Sequence, residues 1–185
     1  RNMYFENTGK KWIPPSPNIA DNNTAFIYQG TCLIEGTNLS EGRGTDKPFS
    51  YIGAPWLNSK KLLIALNKLN LEGVEFYNQI FTPRTILGKA SSPKFEYQQC
   101  NGIGINIKNR EEASPLLITM HIIDIVNKIH PDIFKFNSDK FIDKLYGSDK
   151  LRKTILSNAN IQDLFNNWEQ DRLIFKEKRT PFLLY

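Results

Sequence analysis

The stretch Gly30-Thr31-Cys32-Leu33-Ile34-Glu35-Gly36-Thr37-Asn38-Leu39-Ser40-Glu41-Gly42-Arg43-Gly44-Thr45 decides how this chain reads. It opens apolar and turns polar after Ile34. Ala25-Phe26-Ile27-Tyr28 before it, and Thr31-Cys32-Leu33-Ile34 within it, read as strand segments interrupted by Gly30. Gly36, Gly42 and Gly44 then permit positive φ and close backbone approach. A tight polar loop following a strand is the natural expectation.

That loop holds the residues best suited to chemistry. Glu35 and Glu41 are two carboxyl groups separated by a glycine-rich turn, so both can face one cleft. Paired carboxyl groups are what glycoside hydrolysis commonly uses around an oxocarbenium-like transition state. Arg43, between two glycines, can offer a two-point contact to a carboxylate or phosphate. Thr37, Asn38 and Ser40 supply short hydrogen-bonding groups suited to sugar hydroxyls. The expected set is therefore Glu35 and Glu41 as catalytic groups, with Thr37, Asn38, Ser40 and Arg43 binding substrate. The same residues also read as a surface loop with an internal Glu–Arg salt bridge, and spacing alone favours that reading. Gly42-Arg43-Gly44 is no P-loop, because the lysine and following hydroxyl are misplaced.

Outward from the loop, the chain divides. Trp12-Ile13-Pro14-Pro15-Ser16-Pro17-Asn18 resists helix and central strand, and the first 23 residues read as loop. Beyond Trp56, helical spacing takes over. Leu62, Leu63, Leu66 and Leu69 mark one helix, with Asn58 or Ser59 as its cap. Val74 to Phe81 and Ile103-Gly104-Ile105-Asn106-Ile107 alternate as strands, joined by a loop over Thr82 to Lys94. Ser114-Pro115 starts a helix apolar on several faces, expected to be the central buried one, and Pro131 ends it. Short helices are expected around Phe141 to Leu145, stopped by Gly147, and around Leu151 to Leu156. A longer one begins after Asn160, with Ile161, Leu164, Phe165, Trp168 and Phe175 on one face. The apolar end Pro181 to Tyr185 is expected to dock on the core. The fold class is α+β: a small mixed sheet packed by four to five helices, divided into residues 1–52 and 53–185.

Composition bounds the partners. The chain has 185 residues, 40% hydrophobic and 23% charged, a globular balance that excludes general disorder. A chain of this length buries roughly 70% of its unfolded surface without staples. The net charge is +5 and the pI about 9.1. The basic residues are scattered and interleaved with acids, so nucleic acid is not an expected partner. No apolar run approaches the roughly 18 residues of a membrane span. Arg1 at the start, with no signal segment, points to a chain processed or cut from something longer.

Other signals are weaker. His121 reads as a satisfied core residue and His130 as a helix-end charge. No metal site or cofactor is expected. Cys32 and Cys100 default to buried thiols, with a disulfide between them left open. Gly102 and Gly104 match only half a dinucleotide fingerprint. Trp12, Tyr51 and Trp56 flank the polar loop, where they can stack on sugar rings or pack at the junction of the two parts.

The motifs together resemble a known family. Trp12-Ile13-Pro14-Pro15-Ser16-Pro17-Asn18-Ile19, the run Gly30 to Thr45, Pro48-Phe49 and Ile52-Gly53-Ala54-Pro55-Trp56 carry the likeness. Phe81-Thr82-Pro83, Cys100-Asn101-Gly102-Ile103-Gly104, Phe141 to Gly147 and Pro181-Phe182-Leu183-Leu184-Tyr185 extend it over nearly the whole chain. It resembles the C-terminal portion of the NamZ-like peptidoglycan exo-β-N-acetylmuramidases. The resemblance implies a partner N-terminal Rossmann-like domain bearing the principal catalytic glutamate. Residues 1–52 would then be that domain's last strand and polar cleft loop, and 53–185 an auxiliary α+β domain. It implies muramyl saccharides from peptidoglycan as substrate, released at the non-reducing end, with Arg43 suited to the lactyl carboxylate. A periplasmic or secreted setting is expected for such a substrate. A non-catalytic peptidoglycan-binding module is the competing reading.

Overall fold

The computed structural model describes residues 3–184. Its α+β class agrees with expectation, but residues 22–36 do not. The segment expected as strand is α1 (Asn22–Thr31), running directly into a 3-10 turn over Cys32–Gly36. The Asp21 carboxylate caps α1 by accepting the Thr24 N–H at 2.7 Å. Gly30, expected to interrupt a strand, lies inside the helix at its contact with α3 (Pro115–Ile129). A Cβ there would stand 1.9 Å from the Pro115 carbonyl oxygen. Glycine is needed because α1 lies backbone-on-backbone against the first turn of α3.

The sheet is antiparallel throughout, not mixed, in the order β1-β3-β2. Its strands are β1 (Tyr51–Ala54), β2 (Val74–Phe81) and β3 (Cys100–Ile107). Tyr51 pairs with Gly104, and Val74 with Ile107. β1 is four residues long and was not expected. It straddles the anticipated division at residue 52. One hydrophobic cluster joins Ile27, Leu33, Leu39 and Ile52 to Leu62, Ile103, Ile122 and Ile155, so residues from both sides share a core.

Strand alternation splits the sheet's two faces. Ile52, Ala54, Phe76, Ile103 and Ile105 belong to the main core. Tyr51, Phe81 and Cys100 form a smaller cluster on the other side, with Tyr77 and Phe95 against it. Tyr77 lies opposite Gly104 and its ring covers that position. The Gly102/Gly104 pattern thus belongs to a central strand, not to a nucleotide loop.

Beyond β1 lie α2 (Ser59–Lys68), α3, α4 (Phe141–Tyr146), α5 (Lys150–Leu156) and α6 (Ile161–Arg179). With α1 this makes six α-helices among the described residues. The caps are those the sequence advertises. Asn58 accepts from Lys61 N at 3.0 Å, Ser114 from Leu117 N at 3.5 Å, and Asn160 from Gln162 N at 2.9 Å. α3 is the central helix, with Ile118, Met120, Ile122, Ile123 and Val126 essentially inaccessible. None of the described helices is long and apolar enough to cross a membrane.

The C-terminal expectations are corrected. Ile161 is the only buried residue of α6, and every residue from Gln170 to Thr180 is exposed. Phe175 lies outside the core. Phe182 and Leu184 do not dock and are 82% and 95% exposed; Tyr185 lies outside the described residues. The cause is geometric: α6 meets α3 and α5 at its start and then runs off the body. His130 differs too. Its Nε2 accepts the Asn58 N–H at 3.0 Å, which needs a neutral ring, and burial then nearby Lys61 hold its pKa below the usual 6.5.

Two outcomes are expected. Gly30→Ala should destabilise the protein by about 2 kcal/mol or more, because a backbone carbonyl cannot yield as a side chain can. Urea unfolding would show a lower midpoint at unchanged slope. Because His130 is held below its ordinary value, its contribution is complete above pH 6.5 and is lost as pH falls through the folded value. His130→Gln should flatten that part of the stability–pH curve.

Candidate functional site

The polar loop runs along the outer edge of β1. Ser40 N–H donates to Gly53 O at 2.8 Å, and Gly53 N–H returns to Ser40 O at 3.2 Å. The loop thereby closes a sheet edge that would otherwise present unpaired groups. On its far side it meets the β2–β3 connection, where Arg84 N–H donates to Gly44 O at 3.0 Å. Gly44 has φ +79°, and a Cβ there would stand 2.4 Å from the Arg84 carbonyl oxygen. Both the left-handed backbone and the close approach call for glycine.

Glu35, Glu41 and Arg43 come together here as expected, joined by Lys94, which was not. Arg43 Nη2 donates to Glu35 Oε2 at 2.8 Å. Arg43 Nε stands 3.5 Å from Glu41 Oε1, and Lys94 Nζ 3.3 Å from Glu41 Oε2. These last two are Coulombic contacts only. Arg43 Nε and Glu41 Oε2 are buried and find no hydrogen-bond partner among the described residues. The Glu41 side chain is 6% exposed, so its charge depends on the two cations. The Arg43 guanidinium also lies over the Phe49 ring, 5.2 Å from the centroid.

Lys94 is the hub. Its ammonium lies within hydrogen-bonding distance of four carbonyls: Ile34 (3.3 Å), Glu35 (3.3 Å), Thr37 (2.9 Å) and Leu39 (3.0 Å). These carbonyls come from the 3-10 turn and the start of the loop; Ile34 O also accepts from the Thr37 N–H and hydroxyl, and Glu35 O from Asn137 Nδ2 at 2.9 Å. Lys94 sits between Ser92 and Phe95, both with positive φ (51° and 57°). Non-glycine residues rarely adopt that backbone. No spacing rule links Lys94 to a loop some fifty residues earlier, and the sequence carried no signal for it.

Glu35, Glu41, Arg43 and Lys94 line a cavity of about 300 Å³, completed by Lys89 and Ser91 to Pro93. Burial pushes the Glu35 carboxyl above its usual 4.5. Arg43 opposes that, nearby Glu41 adds to it, and Lys94 opposes it again. The 2.8 Å ion pair with Arg43 therefore does not overcome desolvation.

The remaining expected binders are engaged within the chain. Thr37 is buried; its hydroxyl donates to Ile34 O at 2.8 Å and accepts from Leu39 N at 3.2 Å. Asn38 bridges to the segment after α3, donating to Ile133 O and accepting from Lys135 N, each at 2.9 Å. Ser40 is buried, and its hydroxyl accepts from Gly42 N at 3.2 Å. None of the three lines the cavity. The aromatic residues also pack: Tyr51 stacks on Phe81, Trp56 lies edge-on to His130, and Trp12 edge-on to Phe5. Cys32 and Cys100 are free thiols, Cys32 in the 3-10 turn rather than a strand, and burial pushes Cys100 up to about 12.

A family profile described as exo-beta-N-acetylmuramidase NamZ, C-terminal, matches residues 26–185. The chain belongs to this family. It is 34% identical over 185 residues to the peptidoglycan beta-N-acetylmuramidase NamZ of Bacillus subtilis (strain 168), across 100% of this chain and 43% of that protein. Two solved DUF1343 family proteins from Bacteroides fragilis NCTC 9343 share the fold. One has TM-score 0.88 at 26% identity, covering 100% of this chain and 48% of its own; the other has TM-score 0.67 at 32% identity, covering 94% and 44%. The chain thus spans less than half the length of the relatives it matches.

The electrostatics predict a measurable order. A 13C-detected titration of Glu35 should give a midpoint above 4.5. Arg43→Met should raise that midpoint and Glu41→Gln lower it, since one removes a stabilising cation and the other a like charge. A wild-type midpoint at or below 4.5 contradicts the assignment. Because the folded value is raised, stability falls as pH rises from 4.5 through it, and Glu35→Gln should remove that loss.

Proposed function

We propose that this chain forms one wall of the saccharide site of a cell-wall glycoside hydrolase that releases terminal N-acetylmuramic acid from peptidoglycan fragments. The observation that supports this is the Glu35–Glu41–Arg43–Lys94 cluster opening onto a cavity, in a chain of the exo-β-N-acetylmuramidase family. Muramic acid differs from glucosamine by a lactyl ether ending in a carboxylate. Arg43 is half-exposed at the cavity, and its guanidinium suits that carboxylate in a two-point contact. Lys94 and Lys89 add positive charge on the same side. Glu41 holds Arg43 and Lys94 in place from beneath. Glu35, with its carboxyl raised by burial, is the member suited to exchanging a proton with a sugar hydroxyl or water.

A second reading has its own support. Both carboxylates are engaged by cations within the chain, which suits binding and positioning better than bond cleavage. In that reading the chain is a peptidoglycan-binding module. A periplasmic or secreted setting fits both readings, because peptidoglycan lies outside the cytoplasmic membrane.

The discriminating pair of measurements is direct. In NMR titrations of the chain, Arg43→Ala should weaken N-acetylmuramic acid binding about tenfold or more, the scale of a lost charge-assisted contact, and leave N-acetylglucosamine nearly unchanged. Equal weakening of both sugars overturns the role of Arg43. Hydrolysis of a synthetic β-N-acetylmuramide by the full-length gene product supports the hydrolase; binding with no turnover supports the module.

A further inference from the structure

A second cavity, of about 510 Å³, lies where α3 meets the end of α2 and the start of α6. None of its lining residues belongs to the Glu35–Glu41 cavity. His121, Asp124, Ile125 and Lys128 line it from α3; their spacing of i, i+3, i+4 and i+7 places them on one helix face. Lys68, the last residue of α2, and Asn158 complete the polar wall, while Leu69 and Ile161 make it partly apolar.

The decisive residue is Asp124. It is only 5% exposed, yet its carboxylate is half satisfied. Oδ2 accepts from Lys128 Nζ at 2.7 Å. Oδ1 is buried and finds no donor among the described residues. A buried carboxylate oxygen without a donor is costly, and such groups in native proteins are rare. The terminal torsion of an aspartate is soft, so a rotation can present Oδ1 to the cavity that Asp124 lines. Oδ1 is therefore free to accept from a donor outside the chain.

The surrounding charges narrow what that donor is. Lys128 is already paired with Asp124, which leaves the Lys68 ammonium as a positive group without an ion-pair partner among the described residues. A ligand matching this wall carries a positively charged N–H donor for Asp124 and a carboxylate for Lys68, with a small aliphatic group against Leu69 and Ile161. We propose that this cavity is a binding site for a small α-amino acid, recognised as a zwitterion by Asp124 and Lys68. The site is separate from the saccharide cavity and stands whether or not that reading holds.

The test uses the chain itself with alanine as the probe, and acetate and methylammonium as its single-charge halves. In 15N–1H spectra, alanine should shift the amides of His121, Asp124, Ile125 and Asn158, while either half binds about tenfold more weakly or worse. Asp124→Asn keeps the shape and removes the charge. Lys68→Ala is a surface change that keeps the test valid if the first variant melts early. Each should weaken alanine binding about tenfold or more. The proposal is overturned if alanine produces no shift at these amides, if acetate or methylammonium binds as well as alanine, or if Lys68→Ala leaves its affinity unchanged.

Discussion

The approach of α1 to the first turn of α3 positions the candidate site. At Gly30 the two backbones come closer than any side chain permits. Because α1 continues without a break into the 3-10 turn over Cys32–Gly36, this contact also sets where Glu35 emerges. Leu33 and Ile34 on that turn are buried in the core, so the turn is anchored on one side while its acidic residue faces the cavity. A side chain at residue 30 would push α1 outward and carry the carboxylate with it.

The second constraint is electrostatic. Lys94 gathers four carbonyls of the turn and the loop after it at one ammonium. Three donors shared over four carbonyls is a tight arrangement. Lys94 faces one oxygen of Glu41 and Arg43 the other. Desolvation makes the cluster sensitive: Glu35 is pushed toward its neutral form despite its partner. Ser92, which lines the cavity, and Phe95, next to Lys94, both take the left-handed backbone that non-glycine residues rarely adopt. That pattern fits a site held in place by its surroundings.

Much of the architecture was legible because its signals are local. Asn58, Ser114-Pro115, Asn160 and Gly147 mark helix ends through contacts within one turn, and each marks its end in the structure. β2 and β3 read correctly because alternation is a property of adjacent residues. α1 did not, since its few apolar residues suit either period and Gly30 imitates a breaker. β1 is too short to signal itself and exists through pairing with β3 and the Ser40 bridge. The candidate cluster was legible in part for the same reason: Glu35, Glu41 and Arg43 are close in sequence, whereas the hydrogen bonds of Thr37, Asn38 and Ser40 to backbone groups emerge only in the fold.

Sequence by itself determined the α+β class, the caps, the central helix and the charged loop motif that carries the family likeness. These depend on residue type and short spacing. The tertiary structure alone decided that residues 22–31 are helical, that Lys94 completes the cluster, and that Asp124 is left with a bare oxygen. Each of those depends on groups brought together across tens of residues, where packing and desolvation override local preference.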